Sequence, residues 1–391
     1  MEVYILDSLY RRVDVVDVFD SLIWTERFSA YGDFELKLHS TLANRTKFKE
    51  GVKLAIHGSY RVMTVETVED STDNQGLQIL SVKGTSMESV LVQRLALAAL
   101  TDTTTDPKWS LTGTPVEIAT QMFHDICVTG TLDPGDVIPM INEGSIFPAD
   151  TIPAPPDDIT YEVDPTTLYE AIKNLCDQYL LGFRLVRNLD LGQLYFDVYT
   201  GSDRTTHQTS LPAVVFSPSF DNLTDTTELT SVAAYKNVAY VISPVGHAIV
   251  YPQDVDPDTE GFERRVLLVN ATDITETDPT TATALMTQRG YEELAKYRRI
   301  SAFDGEISQN SKFVYGRDYN LGDLVEVRNT DGVGNTMQVT EHIFVSDKEG
   351  DRSYPTLSVT EFVTPGSWLS EPPTRVWFDY DSDSTTWADQ L

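Results

Sequence analysis

Six histidines, two cysteines and 60 acidic residues are the side chains of this 391-residue chain best suited to chemistry. The histidines are His39, His57, His124, His207, His247 and His342. No two stand four apart, so the helical spacing that grips zinc in metalloproteases is missing. No glycine-rich loop ending in Gly-Lys-Ser/Thr cradles a phosphate, and no Gly-x-Ser-x-Gly elbow presents a nucleophile. Cys127 and Cys176 each fall on the apolar stripe of a predicted helix, which makes them buried thiols without a partnered histidine. A disulfide framework is excluded, and folding in a reducing cytosol is natural.

Two acidic runs could hold a cation. Asp254, Asp256, Asp258 and Glu260 alternate like the start of a calcium loop. Pro257 interrupts them, glycine arrives only at Gly261, and Arg265 stands where the closing glutamate belongs. Asp379, Asp381 and Asp383 run off before a closing ligand. Solvated acidic turns are the expectation for both, with no catalytic, cofactor or metal residues. A pair of glycosidase carboxylates cannot be singled out among so many acids. Trp368, Trp377 and Trp387, on the acidic tail after Pro365, suit protein docking better than a sugar cleft.

The formal net charge of −31 repels nucleic acid, so DNA binding through a basic footprint is excluded. It fits either simple solubility or a non-stick wall beside a passage for polyanions. A 41% hydrophobic fraction with 16 Phe, 18 Tyr and 5 Trp supplies sizeable cores. No apolar run is long enough for a membrane helix. The chain opens on the strand-like Val3-Tyr4-Ile5-Leu6 without an export signal's basic start.

The elements that would position these residues are mainly strands. Alternating apolar residues predict a first β domain over residues 1–100, ending in a helix from 86 to 97 capped by Ser86. An α+β module is expected over 101–211. Its first helix opens with the capping box Thr114-Pro115-Val116-Glu117, and its second begins at Asp164-Pro165 and is capped by Gly182. Between them lies a proline-rich loop, 128–160. A second β domain with a helix over 279–299 spans 212–363, and 364–391 is an acidic aromatic arm.

An internal repeat organises these domains. Segments 51–56, 60–66 and 77–82 match 322–327, 337–343 and 356–361 in order and spacing, each set opening on a glycine, Gly51 and Gly322. Chance likeness between β segments is one reading; two copies of a small β-barrel domain in one chain is the other. The fold class expected is therefore mainly β with an α+β insertion.

The segment Ser21-Leu-Ile-Trp-Thr-Glu-Arg-Phe-Ser-Ala-Tyr-Gly-Asp-Phe-Glu-Leu resembles the opening of minor tail proteins from long-tailed, non-contractile bacteriophages. Gly84, Leu91 and Arg94 look like that family's next landmark, and Tyr315-Gly-Arg-Asp-Tyr-Asn-Leu-Gly-Asp-Leu-Val-Glu-Val is similar to a signature of tail hubs. The motif residues so marked are Trp24, Arg27, Gly32, Asp33, Phe34, Gly84, Arg94, Asp318, Tyr319, Gly322 and Asp323. The resemblance implies a structural virion protein rather than an enzyme. It would be a homotrimeric tail-tip, or baseplate, hub with pseudo-sixfold symmetry. Its implied partners are the distal tail protein ring, the tape-measure protein and other tip proteins, with DNA passing through unbound and no membrane insertion. A receptor- or carbohydrate-binding tip protein is the alternative. A cell-wall hydrolase is a further one, with little chain left for a lytic domain.

Overall fold

The computed structural model describes residues 1–72, 76–97, 108–188, 191–252, 255–297, 300–307, 313–328 and 334–358. Among these residues the backbone forms one open sheet of 13 strands with smaller sheets and four α-helices around it. The first β region supplies β1 (Val3–Leu6), β2 (Arg12–Val16), β3 (Ser21–Arg27), β4 (Asp33–His39), β5 (Lys53–Ile56), β6 (Met63–Thr72) and β7 (Gln78–Ser86). The second supplies β8 (Val215–Phe216), β9 (Leu223–Ser231), β10 (Ile300–Ile307), β11 (Leu324–Arg328), β12 (Gly334–Asp347) and β13 (Gly350–Ser358).

Period-two patterning makes β3 and β4 half-buried strands. Leu22, Trp24, Phe34, Leu36 and Leu38 point into a core shared with Leu80 and Val82 of β7. The short strand β1 is apolar throughout because both of its faces are covered. Val3 and Ile5 enter that core, while Tyr4 and Leu6 enter the core of the α+β module.

Strand order is the same in both regions. The first runs β3-β4-β7-β6-β5-β1 and the second β9-β10-β13-β12-β11-β8. The last pair is antiparallel in the first region and parallel in the second. Equivalent strands carry equivalent irregularities: β6 bulges between Val65 and Thr67, β12 between Val339 and Glu341. Gly51 N donates to Val65 O and Val65 N to Val52 O, at 2.8 and 2.9 Å. Gly322 N donates to Val339 O and Val339 N to Asp323 O, at 2.8 and 3.0 Å. Among the described residues neither set closes into the small barrel expected. Strand β12 takes up the free edge of β3 and runs the two sets on into one sheet, so the edge that would have closed a barrel is already paired.

The α+β module has α2 (Pro115–Phe123) and α3 (Leu168–Gln178) over antiparallel strands 182–188 and 193–199. Phe123 stacks on Phe196 with ring centroids 4.0 Å apart. The capping box at Thr114 forms as expected. Three other expectations need correction. The segment after Ser86 is a 3-10 helix, Met87–Gln93, and the Ser86 hydroxyl accepts Gly32 N–H at 2.8 Å instead of capping it. Helix α3 starts at Leu168, capped by Thr167, because 166–167 first pair with 95–96. At its end Leu180 takes the left-handed conformation, with φ 55°, while Gly182 opens a strand.

The connection between β9 and β10 carries a satellite of strands Val238–Ser243, Gly246–Val250 and Val266–Asn270 under the fourth helix, α4 (Pro279–Ala295). The remaining helix, α1 (Leu42–Lys47), joins β4 to β5. No described helix is long and apolar enough to cross a membrane.

Candidate functional site

Trp24 and Arg27, two of the residues marked by the tail-protein motifs, lie where β3 meets β12, and most of the others pack close behind them. The pairing is antiparallel, from Arg27 opposite Glu341 to Leu22 opposite Ser346. Within β3, Trp24 is fully buried, and its indole N–H donates to Glu26 at 3.1 Å. Arg27 lies on the other face, an odd step along the strand. Its Nε donates to Glu341 at 2.7 Å and an Nη to Asp33 at 2.6 Å. One guanidinium thus holds the β3–β4 turn and the second β region together.

Three glycines allow the close packing. A Cβ on Gly32 would overlap the Thr25 carbonyl, and one on Gly84 would overlap that of Thr64 and crowd Phe34 at 2.9 Å. Gly322 has φ +90°, and a Cβ there would lie 2.6 Å from the Phe28 ring. Phe28 is the residue that sequence reasoning left out of the site. It wedges between Gly182 of the module and Gly322 of the second region, edge-on to Tyr199 at 5.1 Å. Its N–H donates to Thr340 O at 2.9 Å, and its carbonyl accepts Phe183 N–H at 3.1 Å. Three parts of the molecule meet on this one side chain. The signal was present as Gly182, misread as a helix cap.

Behind the seam lies a buried polar network. The Glu26 carboxylate accepts the indole of Trp24, the hydroxyl of Ser59 and that of Tyr315, the last at 2.9 Å. Arg61 and Glu88 form a buried ion pair, and Glu88 also accepts Leu185 N–H at 2.7 Å. A second Nη of Arg61 donates to Arg27 O at 3.1 Å. A cavity of about 30 Å³ between Glu26, Arg61, Arg184, Tyr199 and Tyr315 has room for a water molecule. His342 is fully buried and stacks on Tyr315, centroids 4.0 Å apart; burial pushes its pKa down to about 3.

The hub-like motif is structural too. Tyr319 is buried edge-on to Phe216, and Asp318 locks the turn by accepting Val314 N–H at 2.8 Å. Asp323 accepts Ser202 N–H and Asn320 N–H at 2.7 and 3.0 Å; burial outweighs these bonds and raises its pKa to about 6. Arg94 lies away from the seam, donating to Asp136 O at 3.1 Å and so fastening loop 128–160. Of the candidate calcium ligands, Asp254 lies outside the described residues, and Asp256 accepts Asp258 N–H at 2.9 Å within its own turn. Trp368, Trp377 and Trp387, with the whole arm and its three aspartates, also lie outside the described residues.

The motif residues named here serve packing and joining, and the mainly β fold that they hold is that of phage tail proteins. A tail protein from Neisseria meningitidis MC58 superposes with a TM-score of 0.57 at 12% identity, covering 94% of this chain and 98% of that one. The 43 kDa tail protein of prophage MuSo2 from Shewanella oneidensis gives 0.52 at 14% identity, over 91% and 97%. At such identities the likeness speaks for the fold. No curated protein sequence matches the chain. The chain belongs to the Siphovirus ReqiPepy6 Gp37-like protein family, whose model matches residues 2–357.

Proposed function

We propose that this chain is the tail-tip hub, a non-enzymatic homotrimer whose two β regions alternate around a ring and join a sixfold tube to a threefold tip. The observation that carries this reading is the shared strand order, with the same bulge and the same glycine hydrogen bonds in both regions. Two like regions per chain let three chains present six similar positions, and closed rings are the common outcome of head-to-tail contacts between identical chains. The division into domains at 1–100, 101–211, 212–363 and 364–391 belongs to the same proposal. The distal tail ring, tape-measure protein and tip proteins would dock on its faces, with the arm and its Trp368, Trp377 and Trp387 as one anchor.

The charge of −31 fits a passage wall that does not hold DNA phosphates. Light-scattering mass in line with size exclusion, with negative-stain images of the same peak, tests the hub. Three-chain rings with a six-lobed outline are expected. A compact monomer at every accessible concentration, with none in isolated tails carrying a ring, sinks it. For the wall, lysine substitutions of passage-facing acids should slow genome release while tails still assemble. Unchanged release kinetics remove that part.

A further inference from the structure

We propose that the outer edge of β6 and the outer edge of β9, each without a partner strand among the described residues, pair antiparallel between two copies of this chain, in a register dictated by the seam already formed inside each chain. The inference rests on the hub reading and specifies its contact.

The internal seam supplies the template. Strand β12 pairs with β11 through 334–338; its later part, 341–346, pairs with β3 on the same side. Strand β6 has the same design up to that point. It pairs with β5 only at Met63 and Thr64, and past its bulge the edge from Thr67 to Thr72 has no partner strand among the described residues. Accordingly Thr67, Glu69, Asp70, Ser71 and Thr72 are exposed, while His342 and Ser346 of β12 are buried. On the other side, β3 has β4 on one edge and β12 on the other, whereas its counterpart β9 has β10 alone among the described residues. Each chain thus holds one finished joint and the two unmatched halves of another. Within a single chain the halves are the far ends of matched units. A second copy supplies each with its complement.

The register follows from the pairings. Phe34 opposite Gly84 and Phe303 opposite Leu357 mark equivalent rows, as do Val65 opposite Gly84 and Val339 opposite Leu357. Trp24 opposite Phe34 then corresponds to Glu228 opposite Phe303, and Asp70 opposite Leu80 to Phe344 opposite Ser353. Arg27 and Glu341, paired in the seam, correspond to Ser231 and Thr67. The joint between copies therefore sets Thr67 opposite Ser231, Val68 opposite Thr230, Glu69 opposite Leu229 and Asp70 opposite Glu228. Arg45, which donates to Asp70 at 3.0 Å, offsets the acid pair in the last row. Long unpaired edges are a liability in a lone protein, and pairing with a second chain removes it.

The test is a pair of cysteines in the full-length chain, Thr67→Cys with Ser231→Cys, oxidised and run on a non-reducing gel. Directly opposed positions bring Cβ atoms to about 4.5–5.5 Å, within reach of a disulfide after small adjustment. Covalent dimers and trimers are expected, absent from each single variant and from a Ser71→Cys/Ser231→Cys control about four residues, or roughly 13 Å, out of register. A three-chain peak that does not cross-link, or that cross-links equally in the control, overturns the pairing and leaves the hub standing. A chain that remains monomeric and uncross-linked at every concentration overturns both.

Discussion

Strands β6 and β12 hold the same place in two strand sets of the same order within one sheet, yet their outer edges meet opposite fates among the described residues. Past its bulge β12 is covered by β3, and past its own bulge β6 is exposed. The contrast extends along the rows behind them. Gly322 has Phe28 pressed against it, while its counterpart Gly51, at φ +82°, has nothing within 4 Å of a would-be Cβ. His342 and Asp323, buried and titratable, correspond to Val68 and Val52 in the first region. Equal backbone plans have thus been given unequal side-chain tasks. The second region carries the joint with β3, while the matching edge in the first has no partner strand among the described residues.

The largest expected effect comes from removing the wedge. Phe28→Ala should cost about 3–5 kcal/mol, read from urea unfolding midpoints. Gly322→Ala combines a strained backbone with overpacking and should cost about 3 kcal/mol, against about 1 kcal/mol for Gly51→Ala, where strain acts alone. Adding Phe28→Ala to Gly322→Ala should then cost less than the sum. Equal losses at the two glycines would erase the contrast between the regions.

Acid sensitivity should reside in the second region. In the unfolded chain His342 takes up a proton near its ordinary pKa of about 6.5, while in the folded chain it stays neutral down to about pH 3. Its contribution is complete above about pH 6.5 and falls as pH falls, by about 2 kcal/mol between pH 7 and 5. His342→Phe, which keeps the stack on Tyr315, should flatten that limb of a stability–pH curve. Asp323 acts with the opposite sign. Its raised pKa, about 6, makes stability fall as pH climbs from the ordinary carboxylate range through 6, by on the order of 2 kcal/mol. Asp323→Asn should remove that slope, leaving the histidine limb. An unchanged profile in both variants would mean that neither group titrates differently on folding.

The smallest effect is at the surface of the seam. Arg27 is about a third exposed, so its coupling to Glu341 should come to about 1 kcal/mol or less in an Arg27→Gln/Glu341→Gln double-mutant cycle. Coupling well above that would make the ion pair, and not the wedge, the main fastener.

Much of this architecture is legible in the order of residue types along the chain. Alternation locates the strands from Val3 to Ser86, and the Thr114–Glu117 box locates a helix start, because side-chain period and backbone conformation leave direct traces in residue type. Helix boundaries near 164 and 182 mislead, since Thr166 and Thr167 after the proline pair with another strand and the glycine serves a close contact. What tertiary structure alone decides is how strand edges are shared. Glu341 is 314 residues from the Arg27 that it meets. The edge of a strand is a row of N–H and C=O groups common to every residue, so no residue type announces which edge will be covered. Phe28 reads as any strand-end aromatic until Gly182 and Gly322 close on it from two other parts of the chain.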